Sequence, residues 1–262
     1  MAMNLRNQGN HKRAGMPRAF LILALSLTFL TAATPRLFAD DAKNKIFAER
    51  AADAFSRAQA LYRAQMNDPV LAWQFASACF GWADWATNKA DRAAIARQGI
   101  AACQQSLLFT NSAAAHYYLA LNMGQLAQAE TLSALKLVRE MAREFTNAAS
   151  LDPRFDFAGP PRGLGLLYRD APGWPMSIGN RRKALEFLEN AVTIEPGYPD
   201  NILDLAESYA NWGDRLNARK QLIVLDALWP KAQTNFVGVA WELNWDDWSK
   251  RRDELRKQLY KD

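Results

Sequence analysis

The sequence predicts an all-α protein, a right-handed solenoid of antiparallel helix pairs with a C-terminal capping helix. Three observations predict it. A short pattern occurs twice: Ala184, Leu188, Ala191 and Pro196 stand at offsets of 4, 7 and 12, and Ala218, Leu222, Leu225 and Pro230 repeat them 34 residues later. Half of the 262 residues are hydrophobic, yet no run alternates with period two for long enough to build a sheet. The chain ends in a charged run, SKRRDELRKQL, and a polar terminal helix is what a repeat stack needs as a cap.

A 34-residue period with Ala-x3-large-x2-small-x4-Pro spacing is the tetratricopeptide (TPR) signature. Small residues let the two helices of a repeat approach closely, the large residue fills the groove between them, and proline stops the second helix. Between the two copies lies a first helix, Asp200–Trp212, with Leu205, Ala206 and Tyr209 at its apolar, small and aromatic positions. Gly213 follows in the turn.

In chain order, residues 1–39 read as a signal peptide. A basic stretch precedes Ala19–Ala33, fifteen residues without a charge. That is shorter than the roughly 20 apolar residues a membrane span needs, and it fits a secretory h-region. Cleavage is expected after Ala39, with Ala33 as a second candidate, leaving residues 40–262 as a single helical domain. No Cys stands near the end of the apolar run, so the chain is not expected to be a lipoprotein. The expected location is periplasmic or secreted, with no membrane span after processing.

Lys43–Met66 has the i, i+3, i+4 apolar period of a helix. Asn67-Asp68-Pro69 punctuates it, with Pro69 suited to a first helical position. A second helix is expected to reach Ala86, and a third to run from Asp91 to Phe109. Ser112 suits an N-cap for a helix carrying His116, Tyr117 and Tyr118. Gly124 is placed in a turn, five residues before Ala129 as Gly213 is before Ala218, and the next helix continues to about Leu151. Asp152–Asn180 holds five of the eleven prolines, with a short helix at Arg162–Tyr168 and an ordered loop around Trp174. Measured from the small position of the first helix, that loop is a 7-residue insertion relative to the next repeat. Long insertions in compact domains are commonly functional.

Charge excludes several classes. The formal charge is +5, but residues 1–39 carry five basic residues and no acid. The remainder has 27 basic and 27 acidic residues. Nucleic-acid binding needs a concentrated basic surface, which is missing, and membrane-surface binding through basic residues is disfavoured for the same reason. Beyond residue 40, His116 is the only histidine, and no H-x-x-x-H or C-x-x-C supplies a metal site. His116 is expected to pack beside Tyr117 and Tyr118. Gly163-x-Gly165 lacks the third glycine and the preceding strand of a dinucleotide fingerprint. Asp246 and Asp247 are adjacent and point apart on a helix, as a helix start or solvated face would have them. No cofactor, metal or catalytic residue is expected, and the chain reads as a binding protein, not an enzyme. Cys79 and Cys103 fall on two arms of one hairpin, offset by six residues or about 9 Å along a helix. That distance argues against a bridge, while an oxidising compartment argues for one, and both outcomes stay open.

The stretch PRGLGLLYRDAPGWPMSIGNRRKALEFLENAVTIEP (Pro161–Pro196), with AAAHYYLAL (Ala113–Leu121) before it, resembles the periplasmic T-component of tripartite ATP-independent (TRAP) transporters. The matching positions are Arg162, Leu164, Gly165, Tyr168, Pro172, Gly179 and Asn180. The resemblance implies a periplasmic helper that docks to a solute-binding protein and binds a small apolar solute. Members are often lipoproteins, and this chain lacks the cysteine.

Stacked repeats make a concave surface lined by the first helix of each pair, so the leading expectation is a protein-interaction scaffold of the cell envelope. On the first helices the outward positions are expected to be Tyr118 and Asn122, then Arg162, Leu166 and Arg169, then Leu203, Glu207 and Ala210. Arg162 and Arg169, seven residues apart on one side of a helix, would clamp a carboxylate. Alternatively they pair with Asp170, Glu207 or a loop carbonyl. Trp174 would close over the same groove.

Overall fold

The structure is a computed structural model that describes residues 37–130 and 134–260. The expected signal segment, residues 1–39, lies almost wholly outside these. Among the described residues ten helices follow one another: α1 (Leu37–Ala64), α2 (Pro69–Ala83), α3 (Lys89–Phe109), α4 (Ala113–Ala129), α5 (Ala134–Leu151), α6 (Phe155–Asp170), α7 (Arg181–Ile194), α8 (Pro199–Asn211), α9 (Arg215–Asn235) and α10 (Glu242–Tyr260). A 3₁₀ turn, Val239–Trp241, precedes α10. No β-strand occurs among the described residues.

Local chemistry starts most of these helices. The Asp68 carboxylate accepts the Val70 and Leu71 N–H groups, with Pro69 at the first position of α2. Asn88, Ser112, Asn180 and Asp214 cap α3, α4, α7 and α9 in the same way. Each satisfies donors that the first turn leaves orphaned. Gly213, with φ of +77°, takes the left-handed turn between α8 and α9 that a Cβ would disfavour.

The helices pack as antiparallel pairs, α2 on α3, α4 on α5, α6 on α7 and α8 on α9, and α10 closes the stack against α8 and α9. The repeat register explains this. Ala184, Leu188 and Ala191 are fully buried, as are Ala218, Leu222 and Leu225. A Cβ on Gly165 would lie 2.6 Å from the Leu188 side chain, and one on Gly163 would lie 2.7 Å from Phe145. The small residues of α6 therefore admit the large residues of its neighbours. One apolar cluster runs from Phe75 to Ala171 and a second from Leu166 to Leu259. Ala191→Leu should overpack the α7 contact and cost about 1–3 kcal/mol. An unchanged melting temperature in that variant would show the register to be wrong.

Several boundaries differ from expectation. Helix α1 spans Leu37–Ala64 instead of Lys43–Met66, α3 starts at Lys89 instead of Asp91, and α8 is Pro199–Asn211 instead of Asp200–Trp212. Helix α2 ends at Ala83 instead of Ala86. Gly124 lies inside α4, not in a turn, because every residue from Ala113 to Ala127 is buried, and burial on all faces outweighs the roughly 1 kcal/mol cost of a helical glycine. Pro230 lies inside α9. It removes one backbone donor, but burial of Trp229, Ala232 and Phe236 carries the helix to Asn235. The helix expected at 162–168 begins earlier, and its start holds a left-handed turn at Asp156, Phe157 and Ala158, whose φ values are 50°, 56° and 62°.

Cys79 and Cys103 are free and buried. Burial pushes both thiols well above their ordinary range, and Cys103 is raised further by Cys79 and Glu144.

Candidate binding surfaces

The left-handed turn inside the start of α6 holds the positive-φ non-glycine residues of the described chain, Asp156, Phe157 and Ala158. Each left-handed non-glycine residue costs roughly 1–2 kcal/mol, so three in a row need external support. The Tyr117 hydroxyl donates to Asp156 Oδ2 at 2.9 Å. Arg162 Nη1 donates to the Phe157 carbonyl at 3.1 Å and to Asn201 Oδ1 at 3.0 Å. Asn201 Nδ2 reaches the same carbonyl at 3.1 Å. The Phe157 ring stacks on Tyr198 with centroids 4.6 Å apart, and the Arg162 guanidinium sits 5.2 Å from the Tyr198 centroid. Burial alone would lower the Arg162 pKa, but Tyr117, Tyr198, Asp200 and Asp156 reverse this and keep it charged. Arg162 is thus engaged inside the fold.

Arg169 is engaged next door. Its Nε and Nη2 donate to the two Asp170 oxygens at 2.6 and 2.9 Å, and Nη1 reaches Ser208 Oγ at 3.3 Å. The pairing with Asp170 is one of the alternatives the sequence offered. The two arginines do not converge on one open clamp.

The remaining sequence-derived positions divide by exposure. Tyr118 is buried and stacks on Trp73 at 5.8 Å. Asn122 is fully buried, its Nδ2 donating to the Ala76 and Tyr118 carbonyls at 2.9 and 2.8 Å. Leu166 and Leu203 belong to the second apolar cluster, so their expected outward orientation does not hold; adjacent helix pairs cover the faces that carry them. Ala210 is buried there too. Trp174 stands away from the others and is 89% exposed, not folded over a groove.

Glu207 belongs to a cluster the sequence reading missed. Arg251 donates to both Glu207 oxygens at 2.7 and 2.6 Å, to Asp204 at 2.8 Å, to Asp200 at 2.9 Å and to Asp247 at 3.2 Å. Burial opposes its charge, but Glu207, Asp200 and Asp247 more than offset this and raise its pKa. A signal was present: Asp200, Asp204 and Glu207 recur at i, i+4 and i+7, an acidic stripe on one helix face. Asp246 and Asp247 accordingly lie in ion pairs, with Lys43 and Arg251.

His116 lies between two acceptors, Glu144 Oε2 at 2.6 Å from Nδ1 and Asn111 Oδ1 at 2.7 Å from Nε2. Among the described residues no group of three or more His, Cys, Asp or Glu side chains is arranged to hold a metal ion.

A groove that no sequence pattern indicated lies where the two ends of the solenoid meet. It has a volume of about 810 Å³. Phe47, Ala54 and Ala58 of α1, Phe80 and Trp82 of α2, Trp85 just beyond its end, and Val239 and Leu243 near the start of α10 line it. Ion pairs join α1 and α10 beside it: Arg50 to Glu242 at 2.6 Å, and Lys43 to Asp246. Gly81 opens onto the groove, and a Cβ there would meet nothing within 4 Å.

With this geometry in hand, comparison with known proteins locates the fold. No protein-family model and no curated protein matches the chain. Among solved structures, TTC0263, a thermophilic TPR protein in Thermus thermophilus, matches with a TM-score of 0.60 at 16% identity, covering 82% of this chain and 96% of its own. Two structures of MamA match at TM-scores of 0.47 and 0.46, with 16% and 18% identity, over 78% and 76% of this chain and 98% and 92% of theirs. The likeness to TTC0263 agrees with the helix-pair packing: the fold is a TPR-like solenoid. The resemblance to a TRAP T-component has no counterpart among these structures.

Proposed function

We propose that this chain is an exported TPR-type protein acting as a protein-interaction scaffold in the cell envelope, periplasmic or secreted once residues 1–39 are removed. The groove between the two ends of the solenoid is the observation that carries the reading. It is open, apolar and rich in aromatic side chains, and tryptophans are enriched at the energetic centres of protein interfaces. An apolar helix face or extended segment of a partner is the chemistry such a groove accepts. The expected partner is another envelope protein, with a solute-binding protein as the specific candidate the sequence resemblance supplies. Binding, not catalysis, is the proposed activity.

A second reading is supported by the size of the groove, which lies within the roughly 300–1,000 Å³ typical of small-molecule sites. In that reading the protein is a T-component-like accessory and the groove holds a small apolar solute.

Protein isolated from the native host should begin near Asp40 by mass spectrometry; a full-length cytosolic product would end the export proposal. Gly81→Leu should fill the groove while leaving stability unchanged or raised by up to about 1 kcal/mol, since glycine is a poor helix former. Wild-type protein should capture an envelope protein that Gly81→Leu does not. Equal capture by both would remove the groove from the binding surface. Release of a bound apolar compound from the wild type, without protein capture, would favour the second reading.

A further inference from the structure

The loop between α6 and α7 supports an inference beyond that reading. Its apex is Trp174-Pro175-Met176, three consecutive exposed residues, with Trp174 at 89% and Met176 at 65% exposure. The loop beneath is firmly tied. The Gly179 N–H donates to the Pro172 carbonyl and the Asn180 N–H to the Tyr168 carbonyl, both at 2.8 Å. The Met176 and Ser177 N–H groups reach the Gly173 carbonyl at 3.1 and 3.2 Å. A Cβ on Gly179 would fall 2.0 Å from the Ala171 carbonyl oxygen, so only glycine permits this closure. A preorganised apex offers its apolar surface without the entropy loss of ordering a loose loop.

Three cations follow the apex in the chain, between Asp170 and Glu186, and the first of them, Arg181, also acts on the exposed Asp214 carboxylate. From Ala171 to Leu185 the chain carries Arg181, Arg182 and Lys183 and no acid. This is a local departure, because residues 40–262 as a whole are charge-balanced. Arg181 lies 4.9 Å from the Trp212 ring centroid and Lys183 5.1 Å from that of Tyr168. These contacts hold the cations at the edge of the solenoid.

We propose that this edge docks on an anionic lipid surface, with Trp174, Pro175 and Met176 entering the headgroup region and Arg181, Arg182 and Lys183 facing the lipid phosphates. Tryptophan favours the bilayer interface, and clustered cations are drawn to anionic headgroups. No helix among the described residues is long and apolar enough to cross a membrane, so the contact is peripheral. A folded protein partner fits less well. A stable interface covers about 800 Å² per side, whereas this apex is three side chains on a protruding turn, apart from the groove between the two ends of the solenoid.

The test uses the full chain with Met176→Cys labelled by an environment-sensitive fluorophore. Cys79 and Cys103 are buried and stay unlabelled in the folded protein. A control carries the label at Leu108→Cys, 76% exposed at the end of α3. With vesicles of equal phosphatidylglycerol and phosphatidylcholine, the label at 176 should brighten and shift to the blue, and the label at 108 should not. Pure phosphatidylcholine vesicles, high salt or an added Arg182→Glu should abolish the response, and Trp174→Ala should weaken it. No response at 176, an equal response at 108, or an equal response to both vesicle types would overturn the proposal. A response to poly-glutamate but not to vesicles would replace it with an acidic protein partner.

Discussion

Replacing Arg251 with Met should cost about 3–5 kcal/mol of stability, the usual loss when one member of a buried charged cluster is removed. Arg251 is the shared cation of four carboxylates at 2.6–3.2 Å. Asp200 and Asp204 have only 2% of their side chains exposed. Methionine would preserve most of the packed volume while withdrawing the guanidinium from acids that water screens poorly. Those acids would then hold protons more tightly in the folded state than in the unfolded one. A folded-state rise in a carboxylate pKa removes stability as pH climbs through the ordinary carboxylate range. The deficit should therefore be largest near pH 7 and shrink towards pH 4. Arg251→Lys, which keeps a charge but loses the fork that holds Glu207 bidentately, should fall between the two. Urea unfolding of all three proteins at both pH values is the measurement. A loss below about 1 kcal/mol, the scale of exposed ion pairs, or one that does not vary with pH, would show that the cluster does not depend on its cation.

The cluster also shows where sequence reading stops. Helix starts at Asp68-Pro69 and Ser112 and the turn at Gly213 were legible because each depends on residues a few positions apart, and the 34-residue spacing because the pattern repeats itself. The pairing of Arg169 with Asp170 was legible for the same reason. The turn at Asp156–Ala158 was not, because Tyr117 and Asn201 hold it from 39 and 44 residues away. The groove was still less accessible: Arg50 and Glu242, joined beside it, are 192 residues apart, and only the stacking of the intervening helix pairs brings them together. Helical periodicity named a face for Leu203 and Asn122, but it carried no information on what packs over that face. The acidic stripe of α8 was visible in principle; its cation sits in a segment whose composition reads as solvated.

Asp84→Asn should stabilise the protein at neutral pH and flatten its pH dependence. Asp84 lies just after α2, with Gln125 Nε2 donating to Oδ1 at 2.6 Å and Arg92 Nη1 3.8 Å from the same oxygen. Its second oxygen, Oδ2, is buried without a hydrogen-bond partner among the described residues. Burial raises its pKa from 3.8 to about 7, against the opposing influence of Gln125 and Arg92. The sign follows from which state holds the proton. Below pH 3.8 the group is protonated whether folded or unfolded and contributes no pH dependence. Between there and about pH 7 the unfolded chain releases the proton while the folded chain keeps it, so stability falls as pH rises. At 1.36 kcal/mol per pKa unit, the contribution between pH 4.5 and 7 is on the order of 3 kcal/mol. Asparagine mimics the protonated acid and removes that slope. The advantage of the variant over wild type should grow by about this amount across the same interval. Parallel curves for the two proteins in urea titrations at pH 4.5 and 7 would show that Asp84 ionises in the fold as freely as in water.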